Sequence, residues 1–139
     1  MTPSENNSSA EELPGLRVTI DKIIHQEMEE PADDEQHAFI YFITISNLSD
    51  RTVTLLGRKW IITNADGSKL IVEGDKIVQQ TPKLAPGESF SYNSYHVTSQ
   101  NALAEGAFHG KDDQGAKIFT RIPQFQLIIP NPGFGPAEI

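Results

Sequence analysis

Cysteine is missing from the 139 residues altogether. That removes a disulfide framework, a thiolate nucleophile and any cysteine-held zinc or iron–sulfur site. Stability must then come from packing alone. Long apolar runs are missing too, since no stretch approaches the roughly 18 residues that a membrane-crossing helix requires. The opening Met1-Thr-Pro-Ser-Glu-Asn-Asn-Ser-Ser9 has neither the positive nor the apolar region of a secretory leader, so the expected location is cytoplasmic. Positive charge is scarce, with 11 Lys and Arg against 19 Asp and Glu and a net charge of −8. Nucleic-acid binding by counterion release calls for a basic stripe, and none is visible. Helical periodicity is also absent, because no window of about eleven residues repeats its apolar positions every 3.6 residues.

Hydrophobic residues make up 37% and charged residues 22%, a balance that suits one globular domain with a workable core. The acidity is uneven. Residues 1–36 hold ten acids against Arg17 and Lys22, a sum of −8, while residues 37–139 hold nine acids and nine bases and sum to zero. Polar residues 1–14 read as an acidic tail, 15–131 as the folded domain, and 132–139 as a second tail.

Within the domain the signal is alternation. Leu16, Val18 and Ile20 fall on one face, with a slip near Lys22 that reads as a bulge. His37 to Asn47 is the strongest strand, placing Phe39, Tyr41, Ile43 and Ile45 on one side. Val53 to Thr63 follows with Trp60 expected in the core, and Asn64-Ala-Asp-Gly67 closes a hairpin onto Leu70-Ile-Val72. Ile77 and Val78 are read as the start of a short extended piece ending at Pro82. Ala85-Pro-Gly-Glu88 is a tight turn, and a second hairpin runs from Glu105 through Asp112-Asp-Gln-Gly115 to Ile122. Short strands at this spacing predict an all-β sandwich of 7–9 antiparallel strands, with a closed barrel as the alternative.

Two segments carry a family resemblance. Leu55-Leu-Gly-Arg-Lys-Trp-Ile-Ile-Thr-Asn-Ala-Asp-Gly67 and Pro82-Lys-Leu-Ala-Pro-Gly-Glu-Ser-Phe-Ser-Tyr92 resemble the paired motifs of the ApaG domain. Phe39 to Ser49 and Ile122 to Leu127 resemble its preceding and closing strands, so the likeness spans about residues 16–130. The resemblance implies an immunoglobulin-like or fibronectin type III-like sandwich. It also implies a Gly-x-Gly-x-x-Gly loop for pyrophosphate and a link to magnesium and cobalt homeostasis. Here the aligned stretch is Gly74-Asp-Lys-Ile-Val-Gln79, in which Lys76 and Gln79 replace two of the glycines. No helix follows it, so no helix N-terminus would face a phosphate.

Candidate ligand-binding residues are therefore Gly74, Lys76 and Arg58, where cationic side chains would serve a phosphate or nucleotide. Candidate metal ligands are Glu27, Glu29, Glu30, Asp33, Asp34 and Glu35, whose oxygens suit a hard cation such as magnesium, with cobalt as the alternative. His25, His37, His96 and His109 have no short ligand spacing and are assigned to separate strands or loops. No Gly-x-Ser-x-Gly elbow or carboxylate pair in an apolar setting nominates catalysis, so no enzyme is expected. The expected function is a binding module for a protein partner. The alternative is a sensor for a nucleotide, pyrophosphate or divalent cation. Sandwich edges that can pair between subunits add a homodimer to the expected partners.

Overall fold

A computed structural model describes residues 9–28 and 36–130. These form nine strands and no helix, so no helix among the described residues is long and apolar enough to cross a membrane. The strands are β1 (Glu11–Glu12), β2 (Leu16–Glu27), β3 (His37–Asn47), β4 (Val53–Asn64) and β5 (Lys69–Asp75). They continue as β6 (Lys83–Leu84), β7 (Ser89–Thr98), β8 (Ala102–Asp112) and β9 (Lys117–Leu127). One sheet has the order β1-β9-β8-β4-β5, with β6 also on β4; the other has the order β2-β3-β7. Every pairing is antiparallel except the short parallel one between β1 and β9. This is the expected sandwich, and the two separate sheets exclude the barrel.

Strict alternation explains the core. Along β3 the odd positions are buried and the even ones half-buried, so Phe39, Tyr41, Ile43 and Ile45 face the other sheet. Trp60 on β4 is only 2% exposed and meets them. Complete burial of side chains such as Ile43, Leu55, Phe108 and Leu127 stabilises by roughly 1.5–3 kcal/mol each. The slip near Lys22 is a bulge between Ile20 and Lys22. At the corner before β7, Gly87 has φ of +92° behind Pro86, the backbone a type II turn requires, and Glu88 N–H donates to the Ala85 carbonyl at 2.9 Å. Buried Asn47 ties two segments together: its Nδ2 donates to the carbonyls of Arg51 at 2.7 Å and Leu84 at 2.8 Å.

Two expectations change. Pairing starts before residue 15, because Glu11 and Glu12 lie beside Ile118 and Phe119 and Leu13 is buried. Carboxylates pointing to solvent let this segment join a sheet edge despite its charge. Ile77 and Val78 do not begin an extended piece either. Ile77 is wholly buried and bonds Gln80 in both directions, so the chain folds back as a tight loop that plugs Ile77 into the core and leaves Val78 outside.

Candidate functional site

The two sheets differ in width, and the functional geometry follows from that difference. β7 lies over β4, as the contact between the His96 and Trp60 rings at 4.7 Å shows. β5 extends beyond it. Among the described residues β7 pairs only with β3, which leaves its other edge open above the inner face of β5.

The inward positions of β7 are unusual for a core strand: Phe90, Tyr92, Ser94, His96 and Thr98. Tyr41 stacks on His96 at 4.9 Å and meets Trp60 at 5.0 Å, so the apolar bodies are well packed. Their polar tips are not equally satisfied. Tyr92 Oη, His96 Nε2 and Thr98 Oγ1 are the buried side-chain atoms without a well-formed hydrogen bond among the described residues, and all three belong to this strand; only Tyr92 Oη has a hydroxyl neighbour, that of Tyr41. Leaving such an atom unpaired costs roughly 1–3 kcal/mol. Burial pushes the His96 imidazole down to about 4, so the ring is neutral near pH 7. Burial, followed by the neighbouring Tyr41, raises the Tyr92 phenol. Burial also raises Tyr41, opposed by the Ser94 hydroxyl and the Arg58 guanidinium.

At one end of the open side stands Arg58. Parity on β4 puts it on the inner face with Trp60 and Ile62, while Lys59 points outward and pairs with Glu73 at 3.6 Å. Its Nη1 donates to the carbonyls of Asp75 at 2.8 Å and Lys76 at 2.9 Å, clamping the loop after β5. Gly74 makes that approach feasible, because a Cβ there would lie 2.7 Å from Nη1. In the loop, Lys76 has φ of 71° and Gln79 of 68°, and Val78 lies at 44°. The two residues that stand in place of glycines thus keep the left-handed backbone glycine would adopt, at a cost in strain. Together Arg58, Lys76, Gln79, Tyr41, Tyr92 and Ser94 line much of a cavity of about 360 Å³, with Asp75 as its one acid. Arg58 on β4 is therefore brought together with Gly74 and Lys76 at the end of β5.

Beyond it along β7 is a second cavity of about 230 Å³, lined by Ile62, Asn64, Leu70, His96 and Thr98 among others. Donors and acceptors on one wall face aliphatic side chains on the other. Sequence reasoning did not single out Tyr92, Ser94, His96 or Thr98 as a set. The available signal was that the core-facing parity of this strand reads Tyr, Ser, His, Thr instead of aliphatic.

The candidate metal ligands do not assemble into a described site. Glu27 is exposed at the end of β2, and Glu29, Glu30, Asp33, Asp34 and Glu35 lie outside the described residues. Among the described residues no three His, Asp or Glu side chains converge as ligands. The four histidines lie on four separate strands, as expected, and register adds one contact between them. Pairing of β2 with β3 brings His25 Nε2 to 2.8 Å from His37 Nδ1, so these two are partners and not isolated.

Comparison with known proteins agrees with this architecture. The ApaG domain family matches residues 27–112. Protein ApaG of Pectobacterium carotovorum is 37% identical over 119 residues, covering 85% of this chain and 94% of that protein. Protein ApaG of Vibrio cholerae is 32% identical over 120 residues, covering 86% and 94%. Among solved structures, the putative ApaA protein of Bordetella pertussis superposes with a TM-score of 0.70 at 26% identity, covering 88% of this chain and 99% of that one. A Northeast Structural Genomics Consortium target superposes with a TM-score of 0.73 at 28% identity, covering 84% and 89%.

Proposed function

The chain belongs to the ApaG domain family, and from that premise we propose that it is a non-enzymatic binding module that takes an extended segment of a protein partner along the open edge of β7. One observation carries this reading: the three unpartnered buried polar atoms all lie on β7 and face the cleft between that strand and β5. The ladder phase supplies the rest. Asn47 N–H donates to the Glu88 carbonyl at 2.9 Å, so even-numbered residues of β7 bond to β3 and the backbone groups of Ser91, Asn93, Tyr95 and Val97 point to the free edge. A strand added there gains main-chain hydrogen bonds, and its alternate side chains enter the cleft. Leu70 favours apolar side chains at one end; Arg58 and Lys76 favour an acidic one at the other.

The non-enzymatic reading rests on the chemistry of the cleft. Its histidine has no nucleophile or acid on Nε2, and its Tyr92 and Thr98 hydroxyls have no base within bonding distance among the described residues.

Selection of random peptides on the immobilised protein, followed by amide shift mapping, tests the proposal. Selected sequences should carry an acid and alternating apolar residues, and should perturb amides of Ser91 to Val97. Peptides that perturb only the β2 side, or no enrichment at all, would remove the proposal.

A second reading is favoured by one feature, the Arg58 and Lys76 cations beside the Tyr92 hydroxyl: a free phosphate-bearing ligand occupying that end alone. Calorimetric titration with ATP, pyrophosphate, magnesium and cobalt separates the two. Specific heat with the anions that vanishes in Arg58→Met supports the small ligand; no heat with any of the four sinks it.

A further inference from the structure

The far edge of the wide sheet makes a second, independent demand. β5 pairs only with β4 among the described residues, yet Leu70 is 54%, Ile71 55% and Val72 36% exposed. Three consecutive aliphatic residues on a bare edge strand without proline form an aggregation hazard unless something covers them. Lys69 and Glu73 flank them symmetrically about Ile71.

We infer that β5 is the contact through which two copies of this chain pair, antiparallel about a two-fold axis at Ile71. Hydrogen-bond phase permits it. Asn64 N–H donates to the Ser68 carbonyl at 2.8 Å and Lys76 N–H to the Leu56 carbonyl at 2.6 Å, so even residues of β5 bond inward to β4. Lys69, Ile71 and Glu73 therefore direct their backbone groups outward. Centred on Ile71, each of these outward groups meets another: Ile71 faces Ile71 of the second copy, and Lys69 faces its Glu73 twice over. On the opposite face Leu70 meets Val72, again twice.

Shifting the centre by one residue keeps the phase but loses the complementarity. Centred on Leu70, Lys69 opposes Ile71; centred on Val72, Glu73 opposes Ile71. The Val72 centre also sets Lys69 against Asp75, but only the Ile71 centre pairs opposite charges without setting a charge against Ile71, and it extends an existing row, because Glu73 already pairs with Lys59 on β4. The charges add little energy at an exposed site and instead select the register. Two wide sheets joined in this way form one continuous sheet with both β5 edges covered.

The cysteine-free chain makes the register directly readable. Ile71→Cys should form a disulfide-linked dimer on mild oxidation, because residues in a hydrogen-bonded pair have Cα atoms about 5.5 Å apart, within disulfide range. Lys69→Cys should not link, because Lys69 lies four residues from its own counterpart, about 13 Å along the strand. In sedimentation, the unmodified chain should associate reversibly. Lys69→Glu and Glu73→Lys alone should each weaken association roughly tenfold or more, and an equimolar mixture of the two should recover it, since each like-charge contact becomes an opposite-charge one. These substitutions are on exposed positions and leave the fold intact, which circular dichroism checks. A chain that sediments as a monomer at every accessible concentration overturns the inference. So does linking of Lys69→Cys as readily as Ile71→Cys, or a mixture that stays monomeric.

Discussion

Replacing Thr98 by valine should make the free protein more stable and its binding weaker. Thr98 is 8% exposed at the end of β7, and its hydroxyl has no partner among the described residues. An unmade hydrogen bond at a buried oxygen costs about 1–3 kcal/mol. Valine keeps the β-branched shape a strand accommodates well and removes the oxygen. A gain of about 1–2 kcal/mol follows, which for a domain of this size raises Tm by roughly 3–8 °C. Urea titration followed by Trp60 fluorescence, alongside calorimetry, reads the gain. The same hydroxyl is one of the groups offered to a bound strand, so affinity for selected peptides should fall about tenfold, the equivalent of one hydrogen bond. Opposite signs are the test. A variant that is destabilised has lost a hydrogen bond the free protein was making, and a variant whose peptide affinity is unchanged places the ligand elsewhere; either result refutes the reasoning.

Four further outcomes follow from the same geometry. Gln79→Gly relieves a positive φ worth roughly 1 kcal/mol against a similar entropy cost of glycine, so urea titration should find it neutral or slightly stabilising, whereas Gln79→Val should lose about 1–2 kcal/mol. Asn47→Ala leaves the carbonyls of Arg51 and Leu84 without their donor and should cost about 3 kcal/mol by urea titration. His96 is neutral when folded down to about 4 but takes a proton near 6.5 when unfolded, so stability should fall on acidification from 6.5 to 4 by up to about 3 kcal/mol. His96→Phe should flatten that part of the pH profile, leaving the loss from Asp112, whose carboxyl is held low by the Ala116 and Gln114 amides and by Arg51, to appear at more acid pH. Arg58→Lys keeps the charge but loses the clamp on two carbonyls, so amides of the 75–79 loop should exchange with solvent faster while the rest of β4 is unchanged.

Much of the architecture was legible because period-two alternation is a local property. β3 displays it without interruption, and the turns at Gly67 and Gly87 are announced by residues that tolerate positive φ. The loop after β5 was misread because Ile77 and Val78 look like strand residues. What decides their conformation is non-local: Arg58 clamps the Asp75 and Lys76 carbonyls, and the core accepts Ile77. Strand formation at Glu11 depends on an edge of β9 more than a hundred residues away, which no local pattern encodes. The candidate site was visible in part. The motif points to Arg58 and Lys76 as cations, but Tyr92, His96 and Thr98 acquire meaning only from β7 having one partner strand among the described residues. The contact between His25 and His37 was hidden for the same reason, since it arises from strand register and not from spacing.

One structural inequality accounts for both surfaces. Among the described residues a five-strand path with β6 attached faces a sheet of three strands, so these do not cover the wide sheet fully, and the margin they leave is β5. Evenly matched sheets would have placed a fourth strand beside β7, satisfied its edge and buried Leu70 and Val72 beneath it. The missing strand instead leaves complementary needs on the two sides of the same margin. β7 offers unpaired backbone and side-chain groups that a partner segment can satisfy, while β5 offers aliphatic residues and an outward hydrogen-bond row that a second copy can satisfy. The two demands use different backbone edges and share only the Leu70 side chain, because a strand added to β7 extends the narrow sheet and a copy paired at β5 extends the wide one. Stability for carrying these unmet groups comes from elsewhere, chiefly the buried faces of β3, β4, β8 and β9, where Ile43, Leu55, Phe108 and Leu127 are almost wholly enclosed. Residues of the cleft can therefore be changed without unfolding the domain, whereas Asn47, which joins the turn before β4 to β6 deep in the core, offers no such separation.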